Sequence, residues 1–199
     1  MADLPIKCGG CGADILESQL ESGEICPNCG KAARIKSYQT VAAMPLPQVN
    51  QYVATFQAQI TQNPNDPSLN SSLALCFLKL KLPAKALPYF EKAMADNFSD
   101  PSLYYYAAIC LLNGKKAFLA LRPEIDKILE YLNAALMLED RGIYHYFLAY
   151  IKNDYFERKH LTSKPGSQEL LENAKQRGVS EQEIQELYAL LGVERPANL

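Results

Sequence analysis

Four cysteines near the N-terminus have the spacing that can do chemistry. In "CGGCGADILESQLESGEICPNCG" (8–30), Cys8 and Cys11 form one C-x2-C pair, fourteen residues follow, and Cys26 and Cys29 form the second. Two residues between thiols let one tight turn aim both sulfurs at one ion, and four thiolates suit a tetrahedral metal. Gly12 and Gly30 follow the second Cys of each pair, and Pro27 fixes the entry to the second turn. Glycine tolerates positive φ there, which predicts backbone N–H groups turned toward the sulfurs. Four Cys would close the shell, and His145 and His160 are remote in sequence. That argues for a structural metal, since catalytic zinc keeps an open position and often uses His.

The pattern resembles a zinc ribbon with rubredoxin-like knuckles over about residues 5–36. The gap is slightly shorter than the roughly 15–20 residues usual for such sites. The resemblance implies structural Zn2+ on Cys8, Cys11, Cys26 and Cys29, and a metal that supplies much of the small module's folding free energy. Iron is the minor alternative, because its knuckles look similar. Residues 1–36 contain no Phe, Tyr or Trp for the aromatic shell such an iron site usually has. Disulfides would need an oxidising compartment, and a redox CxxC would need a strand–helix pattern around it. Over residues 1–36, Lys7, Lys31, Arg34 and Lys36 face Asp3, Asp14, Glu17, Glu21 and Glu24, a net of −1. With neither a basic surface nor an aromatic platform, the sequence argues against nucleic acid as a partner.

The elements that must carry this module are helical. The chain has 199 residues, 48% of them apolar, which is enough for a core, and a net charge of −2, which gives no long-range pull toward nucleic acid or anionic lipid. Met1-Ala2-Asp3 opens with an acid, and no apolar run approaches the roughly 18–20 residues of a membrane span, so a cytoplasmic location is expected. Residues 37–47 read as a linker stiffened by Pro45 and Pro47. Helical periodicity then places Val49, Tyr52, Val53, Phe56 and Ile60 on one helix. It places Leu69, Leu73, Cys76, Phe77 and Leu80 on the next, and Ala86, Leu87, Phe90, Ala93 and Met94 on a third.

The word Asp-Pro-Ser-Leu occurs at 66–69 and again at 100–103, a spacing of 34. At that spacing Leu73 falls on Ala107, Ala74 on Ala108, Cys76 on Cys110, Phe77 on Leu111 and Phe56 on Phe90. A helix–turn–helix unit with this period resembles the tetratricopeptide repeat over about 48–156. Tyr104, Ala107, Ala108 and Leu111 match its first-helix positions, with Ala107 undersized. Ala86, Phe90 and Ala93 match its second-helix positions, and Asn70 replaces an expected aromatic. The third unit is irregular. Ile128, Leu132 and Ala135 arrive eight residues late, after an insert around "NGKKAFLALRP". One helix is then expected through Tyr144, Phe147, Leu148, Ile151 and Tyr155, with "FERKH" (156–160) as its solvated end. Two short helices follow, about Ser167–Arg177 and Ser180–Leu191, the second opened by the capping box Ser180-x-x-Glu183. The expected architecture is mainly α: a small β zinc ribbon (1–36), the linker, a repeat-like solenoid (48–160) and a C-terminal helical hairpin or cap (161–199).

The resemblance implies a concave face lined by the first helix of each pair, which receives a protein partner as a peptide or helix. The residues at issue are Leu75, Leu78, Tyr105, Ile109, Leu112, Tyr144, Phe147, Ile151 and Tyr155, with Ser71 and Ser102. Ser71 and Leu75 stand where chaperone-tail receptors carry carboxylate-clamping residues, so an apolar ligand is expected. The chain's own "IQELYALL" (184–191) is a competing occupant, through the stripe Ile184, Leu187, Tyr188 and Leu191. Cys76 and Cys110 read as buried thiols and the two histidines as non-catalytic. No phosphate loop, nucleophile elbow or HExxH is present. The functional expectation is a non-enzymatic adaptor or scaffold. A nucleic-acid-associated ribbon and a rubredoxin-like redox protein are the alternatives.

Overall fold

The structure, a computed structural model, describes residues 5–16 and 25–199. Stretches 1–4 and 17–24 of the expected ribbon, with Asp3, Glu17, Glu21 and Glu24, lie outside the described residues. The chain is mainly helical and divides into two compact units, 1–97 and 98–199. The division falls between the two copies of the repeated word.

In the first unit, β1 (Pro5–Lys7) pairs antiparallel with β2 (Asp14–Leu16), with Ile6 opposite Ile15. A single bridge joins Ile25 to Ala32. Then come α1 (Tyr38–Ala42), α2 (Leu46–Ile60), α3 (Pro67–Lys79) and α4 (Pro83–Asp96). The interval 37–47 is therefore partly helical. Ser37 caps α1 by accepting from the Thr40 N–H, and Tyr38 and Val41 are buried. Helix α1 packs on α3, and Lys79 Nζ donates to the Ala42 carbonyl at 2.6 Å. Helix α3 packs against α2 on one side and pairs with α4 as a hairpin on the other.

The repeated Asp-Pro-Ser-Leu word starts a helix both times. Asp66 caps α3 by accepting from the Leu69 N–H at 2.9 Å, with Pro67 at its first position. Asp100 caps α5 (Pro101–Leu112) by accepting from the Ser102 N–H at 2.9 Å. Asp stops the chain from extending the helix backward, and Pro is pre-set for the first turn. Asn70 departs from the repeat pattern because it is fully buried and fastens the α2–α3 turn. Its Nδ2 donates to the carbonyls of Pro64 (3.0 Å) and Asp66 (2.8 Å).

In the second unit α5 packs against α6 (Arg122–Leu138), and α7 (Gly142–Ile151) against α8 (Ser167–Gln176). Helix α9 (Glu181–Leu191) lies on both α5 and α7. The single helix expected through Tyr155 does not continue as α. After Ile151 it widens into a π-helical turn, Lys152–Phe156, and closes with a 3-10 turn, Glu157–Lys159. Widening swings the polar run 152–154 inward. Asp154, only 3% exposed, accepts from the Phe118 N–H at 2.9 Å, and Tyr150 Oη accepts from the Ala117 N–H at 3.2 Å. The insert is thus docked on the π turn, an arrangement invisible to a 3.6-residue pattern. Among the described residues no helix is long and apolar enough to cross a membrane.

Candidate metal centre and helical face

The two C-x2-C loops fold as copies of one turn. The Cys8 N–H donates to the Ala13 carbonyl and the Cys26 N–H to the Lys31 carbonyl, at 2.9 and 2.8 Å. The Gly12 N–H donates to the Cys8 carbonyl and the Gly30 N–H to the Cys26 carbonyl, at 2.8 and 2.9 Å. Gly12 and Gly30 sit at φ +75 and +64, the left-handed region that closes each loop. The glycine amides themselves bind carbonyls, and other amides of the loops are the ones that face sulfur. The amides that do so come earlier in each turn: the Gly10 N–H reaches Cys8 Sγ at 3.2 Å.

All four Sγ atoms lie within 4.8 Å of one another. Cys8 to Cys29 is 3.7 Å and Cys11 to Cys26 is 3.8 Å. A tetrahedron with metal–sulfur bonds of about 2.3 Å has sulfur–sulfur edges of about 3.8 Å, which these two distances match, so the donor set suits a four-thiolate ion. A disulfide would bring two sulfurs to about 2.05 Å. Cys8 and Cys26 are buried, Cys29 is half-buried and Cys11 is exposed. Burial pushes the Cys8 thiol up to about 12. Burial also works against the Cys26 thiolate, but the Asn28 and Cys29 amides, with the Cys8 and Cys29 thiols, outweigh it and hold that group at about 7. A bound cation would favour the thiolate throughout and release the remaining protons.

The module is docked within its unit rather than tethered. Side chains of α2 read its backbone. Gln51 Nε2 donates to the Gly10 carbonyl (2.8 Å), Tyr52 Oη to Ala32 (2.6 Å) and Gln59 Nε2 to Lys7 (3.1 Å). Arg34, counted above among the ribbon's cations, is buried instead: Nη1 donates to Gln59 Oε1 at 2.8 Å, and Nη2 lies 3.6 Å from Asp66. Ser72 Oγ on α3 accepts from the Ile35 N–H (3.0 Å) and donates to the Ile35 carbonyl (3.1 Å). Tyr52 and Phe56 lie against Gly9 of the first knuckle. The aromatic neighbours missing from residues 1–36 thus come from α2, so the lack of local aromatics does not weigh against iron. A one-dimensional reading of the ribbon had no signal for this.

The apolar helical-face residues are all buried, while Ser71 and Ser102 are half-buried. Leu75 and Leu78 lie on α3; Tyr105, Ile109 and Leu112 on α5; Tyr144, Phe147 and Ile151 on α7; and Tyr155 on the π turn. In the second unit Tyr105 packs on Tyr144 and Phe147, with ring centroids 5.4 and 6.0 Å apart. The occupant there is α9, which buries Ile184, Leu187, Tyr188 and Leu191. Tyr188 stacks edge-on to Tyr146 and Tyr150 at 6.3 and 5.6 Å. Glu183 completes the capping box with Ser180 and pairs with Arg141 at 2.9 Å, just ahead of α7. Cys76 and Cys110 are buried free thiols, and burial raises both, Cys76 to about 12. His145 is held by Asp140 at 2.7 Å, and Asp140 also takes Arg177, so this histidine works as a strut between α7 and the end of α8.

Fold and site together define a mainly helical protein whose one described Cys cluster could hold a metal. No protein-family model matches the chain, and no curated protein matches it. A solved structure described as "MamA RS-1 ArsTM double mutant" is similar over 79% of this chain and 76% of its own, with 19% identity and a TM-score of 0.49.

Proposed function

We propose that the protein is a non-enzymatic scaffold in which a structural ion on Cys8, Cys11, Cys26 and Cys29 fixes an N-terminal knuckle module (1–36) onto tetratricopeptide-like helical hairpins (48–160). The observation that carries this is the cluster of four sulfurs within 4.8 Å of one another, built from two equivalent turns, in a module bonded to α2 and α3 through Gln51, Tyr52, Gln59 and Ser72. Such an ion would orient backbone for docking rather than activate water, because four thiolates leave no open position. Zinc is the favoured ion, since four thiolates suit either zinc or iron and zinc is the usual structural choice. Helix α9 and the rest of 161–199 act as the cap. The face of Tyr105, Ile109, Leu112, Tyr144, Phe147, Ile151 and Tyr155 serves a protein partner when an apolar helix replaces α9; in the first unit, Leu75 and Leu78 on α3 are proposed separately as partner-binding residues. The buried Arg34 and the net charge of −1 over residues 1–36 speak against a nucleic-acid partner.

The test is elemental analysis of purified protein with an absorption spectrum. One zinc per chain and no visible band support the reading. A coloured protein with one iron converts it to the redox alternative, and no metal at all removes the centre. A pull-down with Leu187 and Tyr188 changed to polar residues then tests the face: partner capture should rise as α9 loosens, and unchanged capture rejects that surface.

A further inference from the structure

We propose that the insert at 114–121 and the turn at 158–161 together form a docking patch for an anionic lipid bilayer surface. The two segments read Gly-Lys-Lys-Ala-Phe-Leu-Ala-Leu and Arg-Lys-His-Leu; they hold four cations and no acid, against −2 for the whole chain. They meet at Phe118, whose ring lies 4.4 Å from the Arg158 guanidinium and 5.2 Å from Lys159 Nζ.

The insert is firmly seated and turned outward. Ala117 and Ala120 are buried, and the amides of Ala117 and Phe118 are bound by Tyr150 and Asp154. Leu119 and Leu121 point the other way, 65% and 67% exposed, and Leu161 on the second segment is 42% exposed. Leucines that stand this far out of the surface are reached by a broad, soft apolar phase, whereas a peptide-gripping groove would shield them in part. Lys115 and Lys116 form no ion pair among the described residues. Arg158 is neutralised by Asp154, and the Glu124 carboxylate sits on the Leu121 N–H at 2.7 Å, so the charge on offer is Lys115, Lys116 and Lys159 less that one acid. Apolar tips with a cationic fringe are the pattern that seats a protein on anionic headgroups, the lysine stems lying along the interface.

The experiment is co-sedimentation of the full chain with phosphatidylcholine vesicles, with and without phosphatidylglycerol. Binding is expected only with phosphatidylglycerol, and it should fall as salt rises. Lys115→Gln with Lys116→Gln should weaken it about thirtyfold, the effect of two near-surface lysines. Leu119→Ser with Leu121→Ser should weaken it at least about tenfold, through lost apolar burial. All four side chains are exposed, so melting temperatures should match wild type. Wild-type protein that fails to pellet with anionic vesicles, pellets equally with neutral ones, or is unaffected by the leucine changes overturns the proposal. So does binding to an acidic peptide without binding to vesicles, which would assign the patch to a protein.

Discussion

Gly9 and Phe56 meet so closely that a Cβ on Gly9 would lie 2.5 Å from the Phe56 ring, with Tyr52 at 2.8 Å. The first knuckle therefore rests directly on α2, backbone against the aromatic ring. Gly9→Ala should force the module off its seat and lower stability by about 1–3 kcal/mol, the usual effect of overpacking. Denaturant unfolding followed by tyrosine near-UV signal measures this. An unchanged midpoint would show that the contact is slack.

Ser72 makes both of its hydrogen bonds to Ile35, and both residues are fully buried. Ser72→Ala leaves an N–H and a carbonyl without partners in the core. The expected loss is about 1–3 kcal/mol per stranded group. Equilibrium unfolding of this variant should show a lower midpoint with the metal content of the wild type, which separates a docking defect from a metal-site defect.

If the four Cys hold the proposed ion, removing it should loosen more than the knuckles. Tyr52 and Phe56 pack on Gly9, and Gln51 and Gln59 bond the module's carbonyls. A strong chelator, or Cys26→Ser, should lower the melting temperature and make amides in 46–60 exchange faster with solvent. Those in 142–191 should be unchanged. Hydrogen exchange read by mass spectrometry decides it, and faster exchange confined to the knuckles would show that α2 holds without them.

Acid should release α9 before the rest of its unit. Burial alone would raise the Glu183 carboxyl, but Ser180 and Arg141 outweigh it and hold the group below its ordinary 4.5. Its contribution is therefore fully present above about pH 4.5 and lost as pH falls through the lower folded-state value. In Glu183→Gln that part of the acid dependence should vanish. Ser180→Ala should cost about 1 kcal/mol at neutral pH through the lost cap. Thermal melts across pH 3–7 compare the three proteins.

Much of this protein is written locally. The four-Cys spacing, the Asp-Pro helix starts at 66 and 100, the Ser180 capping box and the helix bounds around them follow from turn chemistry and 3.6-residue periodicity, which act within a few residues of themselves. Tertiary structure alone decided the rest. That Arg34 turns inward to Gln59, that Tyr52 and Phe56 supply the knuckle's aromatic wall, and that Ser72 bonds both backbone groups of Ile35 are contacts between segments with no shared period. The π turn at 152–156 was equally hidden, because the bond that accompanies it, from the Phe118 amide to Asp154, spans 36 residues. Local sequence sets which elements form. Which buried polar groups find partners, and so how the elements lock together, depends on the whole chain folding at once.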